Sequence, residues 1–117
     1  MRKNKRIIIK IGSSSLVLEN GKLNQKKFET IISMIKKLND KDKDVVLVTS
    51  GAIAVGMGKL GFNKKPKNMA LKQACAAIGQ VSLMNEYQKY ADDCGLLTAQ
   101  ILVNHDDFEN KNITYKT

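Results

Sequence analysis

Residues 7–9 are three consecutive isoleucines and residues 45–48 read Val-Val-Leu-Val, while between them Phe28, Ile31, Ile32, Ile35 and Leu38 recur every three or four positions. Short unbroken runs of β-branched residues predict strands covered on both faces, as in parallel sheets flanked by helices, and the intervening spacing predicts an amphipathic helix. Strand, helix and strand at this separation form a βαβ unit, so 7–9 and 45–49 are expected to lie parallel, joined by a right-handed crossover. Asn24 is placed to cap the helix, and Leu23 and Phe28 stand at the spacing of a hydrophobic staple. Lys36 and Lys37 suit the helix's carboxyl end, and residues 39–44 supply the turn. Before the helix, Asn20-Gly21 signals a short hairpin or turn over 16–21.

Residues 52–57 predict a short helix, after which Gly56, Gly58 and Gly61 are expected to loosen the chain, and 62–67, holding the single proline Pro66, to link onward. Residues 69–93 predict one long helix with a possible bend at Gly79, residues as small as Ala70, Ala74 and Ala77 for close packing, and Leu83, Tyr87 and Tyr90 along its apolar side. Gly95 is a natural stop. A third strand is expected over 97–103, running into Asn104, His105, Asp106 and Asp107. Residues 109–117 then open a further helix without completing an apolar face, which reads as an element cut short within a longer protein. The fold class this implies is α/β with a mainly parallel sheet.

Composition narrows the function classes. A chain of 117 residues with 43% hydrophobic content fits one domain of ordinary globular character. Its longest uncharged apolar run is too short to cross a bilayer, and the basic residues 2–6 lead into an apolar stretch that Lys10 soon interrupts, unlike a signal peptide. A cytoplasmic chain is expected. The net charge of +9 raises the question of nucleic acid, but eighteen lysines against two arginines, with no aromatics between them, describe solvated surface charge rather than a stacking platform. Cys75 and Cys94 have no partner at metal spacing and read as reduced thiols.

Two loops carry the candidate chemistry. At the end of the first strand, Lys10, Gly12 and Ser13-Ser14-Ser15 combine a cation, a glycine and three hydroxyls, a composition suited to an anionic group. A lysine closing an apolar strand is costly to bury unpaired, which favours an anion partner over packing. At the end of the second strand, Thr49-Ser50-Gly51-Ala52 repeats that design at a strand-to-helix turn, although Ser50 could serve simply as a helix cap. Parallel strands bring both loops to one edge of the sheet, where open α/β folds bind ligands. Gly56-Met57-Gly58-Lys59-Leu60-Gly61 matches GxGxxG, but it neither starts from a strand nor leads to an acidic residue about 20 positions on, so a dinucleotide site is not expected. His105 reads as a solvated loop residue and Asp106 and Asp107 as helix-capping residues.

Four blocks together resemble the amino acid kinase family: Ile8 to Ser15, Val46 to Gly56, Lys72 to Gln80, and Ala99 to Leu102 running into Asp106 to Glu109. The second and third look like its members that phosphorylate L-glutamate. The resemblance implies a three-layer α/β/α sandwich, ATP and Mg2+ as cofactors, and transfer of phosphate to the glutamate side-chain carboxylate in the first step of proline synthesis. It further implies that Lys10 contacts the transferring phosphate and is the catalytic residue, that Gly12 and Ser13 shape the phosphate path, and that Ser50, Gly51 and Ala52 bind glutamate. Free proline is implied as a feedback inhibitor. Family members continue through further strands that complete the glutamate and adenine sites, so 1–117 is expected to be a truncated, N-terminal, glutamate-binding part. Such a part is expected to expose apolar surface and to self-associate into homo-oligomers. Two alternatives remain open: an amino acid kinase for another acidic substrate, and a non-catalytic fragment that binds glutamate or proline.

Overall fold

A computed structural model describes residues 5–12 and 15–100 of the chain. Five elements follow in order: strand β1, Arg6–Ile11; helix α1, Gln25–Asp40; strand β2, Asp44–Thr49; helix α2, Ala52–Leu60; and helix α3, Met69–Asp93. The two strands pair parallel, with Ile7 opposite Val45, Lys10 opposite Val48 and Ile11 opposite Thr49. The βαβ reading of the sequence therefore holds.

Local chemistry sets the helix ends. The Asn24 side chain accepts the Lys27 amide at 3.3 Å and starts α1. Phe28, Ile31 and Ile32 form its buried stripe. Ahead of it, Val17 bridges Leu23 antiparallel, and Gly21 takes a φ of 82° in the turn between them. At the far end of α3, the Leu96 amide donates to the Ala91 carbonyl at 2.8 Å and the Gly95 amide to Asp92 at 3.2 Å. With Gly95 at φ 74°, this is a Schellman closure. The start of α3 is held by Asn68, whose side chain accepts from Ala70 at 2.7 Å and Leu71 at 3.4 Å, a cap the sequence reading did not single out.

The core gathers Leu16, Phe28, Ile31, Ile32, Val55, Leu83, Tyr87 and Ala91 on one side of the sheet. Phe28 and Tyr87 meet edge to face, with ring centroids 4.8 Å apart. The strands themselves alternate rather than being covered on both faces. Ile8 is 68% exposed, Val46 44% and Val48 46%, while Ile7, Ile9 and Val45 are half-buried. In this chain only one of the two expected faces is covered, and a run of β-branched residues cannot say which of its faces has a partner within the chain.

Two further expectations need correction. The glycines after residue 55 tighten the fold instead of loosening it. Helix α2 runs through Gly56 and Gly58, and a Cβ on Gly56 would stand 1.8 Å from the Cys75 carbonyl oxygen, one on Gly58 2.1 Å from that of Gly21. Only Gly61, at φ 77°, ends the helix. Residues 97–100 are not in a strand, and Leu97 is 97% exposed. A strand exists through its ladder, and no neighbour offers one to these residues among those described. The remainder of the expected third strand, the Asn104 to Glu109 loop and the last expected helix lie outside the described residues.

Candidate functional site

The parallel register places the carboxyl ends of β1 and β2 side by side. Beyond the last paired residues, Ile11 and Thr49, the Ser50 amide donates to the Ile11 carbonyl at 3.3 Å, and the Ser50 hydroxyl reaches the same oxygen at a long 3.5 Å. The two expected loops thus share one edge, joined through Ile11. Lys10 is exposed, on the same sheet face as Ile8 and opposite Val48. It is therefore not a buried charge in need of rescue but an exposed cation one residue before the end of β1.

A Cβ built on Gly12 would meet no atom of the described residues within 4 Å. The Gly12 carbonyl accepts the Ser15 hydroxyl at 2.9 Å. Ser13 and Ser14 lie outside the described residues. In the second loop Gly51, at φ 112°, occupies the cap position of α2, and no side chain caps that helix. Ser50 is consequently not the cap, and its hydroxyl is directed to the neighbouring strand. The first amides of α2, starting at Ala52, have no intrahelical partner, and the dipole there favours negative charge.

Helix α3 supports this loop from behind. Its buried residues Cys75, Gly79, Leu83, Tyr87 and Ala91 recur every four positions along one stripe. A Cβ on Gly79 would stand 1.7 Å from the Ala52 carbonyl oxygen and 2.6 Å from the Gly56 amide nitrogen, so α2 lies against α3 backbone to backbone. Further along, the Tyr87 hydroxyl is 3.0 Å from the Thr49 hydroxyl, which also reaches the Ser50 carbonyl at 3.3 Å. Burial pushes the Tyr87 phenol above its ordinary value, outweighing the opposing effect of the Thr49 hydrogen bond. Sequence reasoning missed these supports. The four-residue stripe was its available signal, but the loop it contacts is set by the fold.

Among the described residues no three histidine, cysteine or carboxylate side chains converge as a metal site. A groove of about 500 Å³ between the 18–25 hairpin and α2, lined in part by Leu18, Lys22, Val55 and Lys59, contains none of the expected site residues. No helix is long and apolar enough to cross a membrane among the described residues.

Two parallel strands ending in a lysine-glycine loop and a serine-glycine loop, the second backed by close-packed helices, define the α/β class that takes its ligands at the carboxyl edge of the sheet. Residues 5–117 match the amino acid kinase family, and the chain belongs to it. It is similar to glutamate 5-kinases of several bacteria. That of Caldanaerobacter subterraneus subsp. tengcongensis is 48% identical over 106 residues, covering 91% of this chain and 28% of the relative. The protein of that name from Thermoanaerobacter sp. is 45% identical over 114 residues, covering 94% and 31%. In Clostridium perfringens the figures are 42% over 113 residues, covering 97% and 42%. The chain thus spans less than half the length of each of these relatives.

Proposed function

We propose that residues 1–117 are the N-terminal, glutamate-side part of a glutamate 5-kinase, the enzyme that transfers the terminal phosphate of ATP to the side-chain carboxylate of L-glutamate, with glutamyl 5-phosphate as product. The observation that carries this reading is the register that sets Lys10 and Gly12 beside Ser50, Gly51 and Ala52 at one sheet edge. The names of the relatives supply the substrate. In this reading the relatives' remaining length completes the adenine site and covers the open sheet face, giving the three-layer sandwich.

The chemistry asks for little acid-base machinery. A glutamate side chain, with a pKa near ~4.3, is already a carboxylate at neutral pH, so its oxygen can attack phosphorus without a general base. The new bond joins carboxylate oxygen to the terminal phosphorus as the bond to the bridging oxygen breaks, and ADP leaves. Bringing one anion onto another is the obstacle, and the protein's task is to offset that charge. Lys10 supplies a cation at the crevice, the open volume at Gly12 leaves room for phosphate oxygens, and Ser13 continues that path. Ser50 and the amides of Gly51 and Ala52 hold the glutamate. Mg2+ would arrive with the nucleotide, where it would offset phosphate charge. Proline as feedback inhibitor, a cytoplasmic location and assembly into homo-oligomers belong to the same reading.

The test is to incubate the chain with L-glutamate, MgATP and hydroxylamine, which traps an acyl phosphate as a hydroxamate. Where transfer occurs, Lys10→Met should abolish it while leaving glutamate binding unchanged. Ser50→Ala should weaken glutamate binding by about fivefold, the scale of one hydrogen bond. Near-normal turnover in Lys10→Met would sink the assignment of the lysine. If the chain alone forms no product, glutamate binding measured by titration decides whether it is the substrate-binding part, and its absence would overturn the reading.

A further inference from the structure

We propose that Tyr87 is a positioning residue for the Ser50 loop, holding its backbone through the Thr49 hydroxyl. The Thr49 hydroxyl has one proton, and its contact with the Ser50 carbonyl at 3.3 Å uses it. With its proton placed there, it accepts from Tyr87, whose oxygen is 3.0 Å away and can donate. The resulting relay runs from the Tyr87 O–H to Thr49 and from the Thr49 O–H to the Ser50 carbonyl. It needs the phenol to keep its proton, and burial favours that state.

The geometry makes the relay selective for the loop. Tyr87 is 3% exposed, and its ring is fixed edge-on by Phe28, so the hydroxyl cannot swing toward solvent to find another partner. Thr49 is the last paired residue of β2, and Ser50 begins the turn into α2. On the same stripe of α3, Gly79 packs against the Ala52 carbonyl. One helix thereby holds residues 49 to 52 at two points eight residues apart, one polar and one steric. Phenylalanine at position 87 would fill the core equally well, and a loop-holding role is what the hydroxyl adds.

The choice of glutamate as ligand in the test rests on the functional reading above; the loop measurement does not. The chain, Tyr87→Phe, Thr49→Val and the double variant are compared by amide hydrogen exchange and by titration with L-glutamate. In Tyr87→Phe the two hydrogen-bonded amides of the turn, Ser50 to Ile11 and Val55 to Gly51, should exchange about fivefold faster, the effect of one lost hydrogen bond, with Ile31, Ile32 and Leu83 unchanged. The glutamate dissociation constant should rise by a similar factor, and the double variant should be no worse than Thr49→Val alone. Unchanged exchange at Ser50 and Val55, or a rise shared equally by α1 and α3, overturns the proposal. If the unsubstituted chain binds no glutamate, the functional reading fails and the exchange pattern still decides the role of Tyr87.

Discussion

At the scale of single residues, Gly79 shows how two effects of opposite sign are decided by what stands across the contact. Alanine in the middle of a helix gains about 1 kcal/mol over glycine in intrinsic propensity. Against this, a Cβ at 79 would lie 1.7 Å from a backbone oxygen of α2, which cannot rotate away as a side chain would. Overpacking costs roughly 1–3 kcal/mol even where neighbours can yield, so the clash should win. Gly79→Ala is expected to lower stability by about 1–2 kcal/mol in urea titrations. Gly12→Ala, whose Cβ meets nothing, should fall within about 0.5 kcal/mol of the parent. Equal stability of the two variants would refute the backbone contact. The contrast also marks a limit of reading sequence: both residues are simply glycine there, and the difference lies in a partner helix 23 or more positions away from Gly79 and in nothing at all near Gly12.

Among the elements, the helices were the most readable part of the chain. The spacing of Phe28, Ile31 and Ile32 gave α1 its buried face, Asn24 its start, and Gly95 the closure of α3, because caps and periodicity act between residues close in sequence. The same logic covers Asn68, which was overlooked although it directly precedes Met69 in the expected helix. It accepts two first-turn amides, at 2.7 and 3.4 Å, where Asn24 accepts one at 3.3 Å. Asn68→Ala should therefore destabilise the chain by about 1 kcal/mol, and Asn68→Ser should recover most of it. Thermal unfolding of the three chains checks this, and an alanine variant as stable as the parent would show that α3 does not depend on its cap. The strands and glycines were less readable for a different reason. Whether Ile8 is covered, whether Gly56 loosens or locks, and whether 97–100 finds a ladder all depend on partners that no local pattern encodes. The two loops proposed as the site were singled out because their residue types suit an anion, whereas the Tyr87 to Thr49 contact spans 38 positions and left no local trace.

For the whole molecule, the open face of the sheet has the largest consequence. Parallel sheets are ordinarily covered on both faces, and a two-stranded sheet has little stability of its own. Here Ile8 lies directly across from Val46, with Val48 next along the strand, so the exposed side chains form one apolar patch rather than scattered points. A chain that leaves such a patch uncovered lowers its free energy by burying it against another copy, at about 25 cal/mol per Å² of apolar area removed from water. The isolated chain should accordingly self-associate with rising concentration in sedimentation velocity. Replacing Ile8 with lysine and Val46 with glutamate would put opposite charges across the strand pair, retaining a favourable cross-strand contact while making the face costly to dehydrate. That double variant should stay monomeric where the parent associates, with its unfolding midpoint little changed. If the parent shows no concentration dependence, or the charged pair associates as strongly, the sheet face is not what drives contact between copies. The same variant links this scale to the site. Lys10 shares the open face with Ile8, so association through the patch would crowd Lys10 itself, and breaking it should leave the amine more accessible to an amine-reactive label.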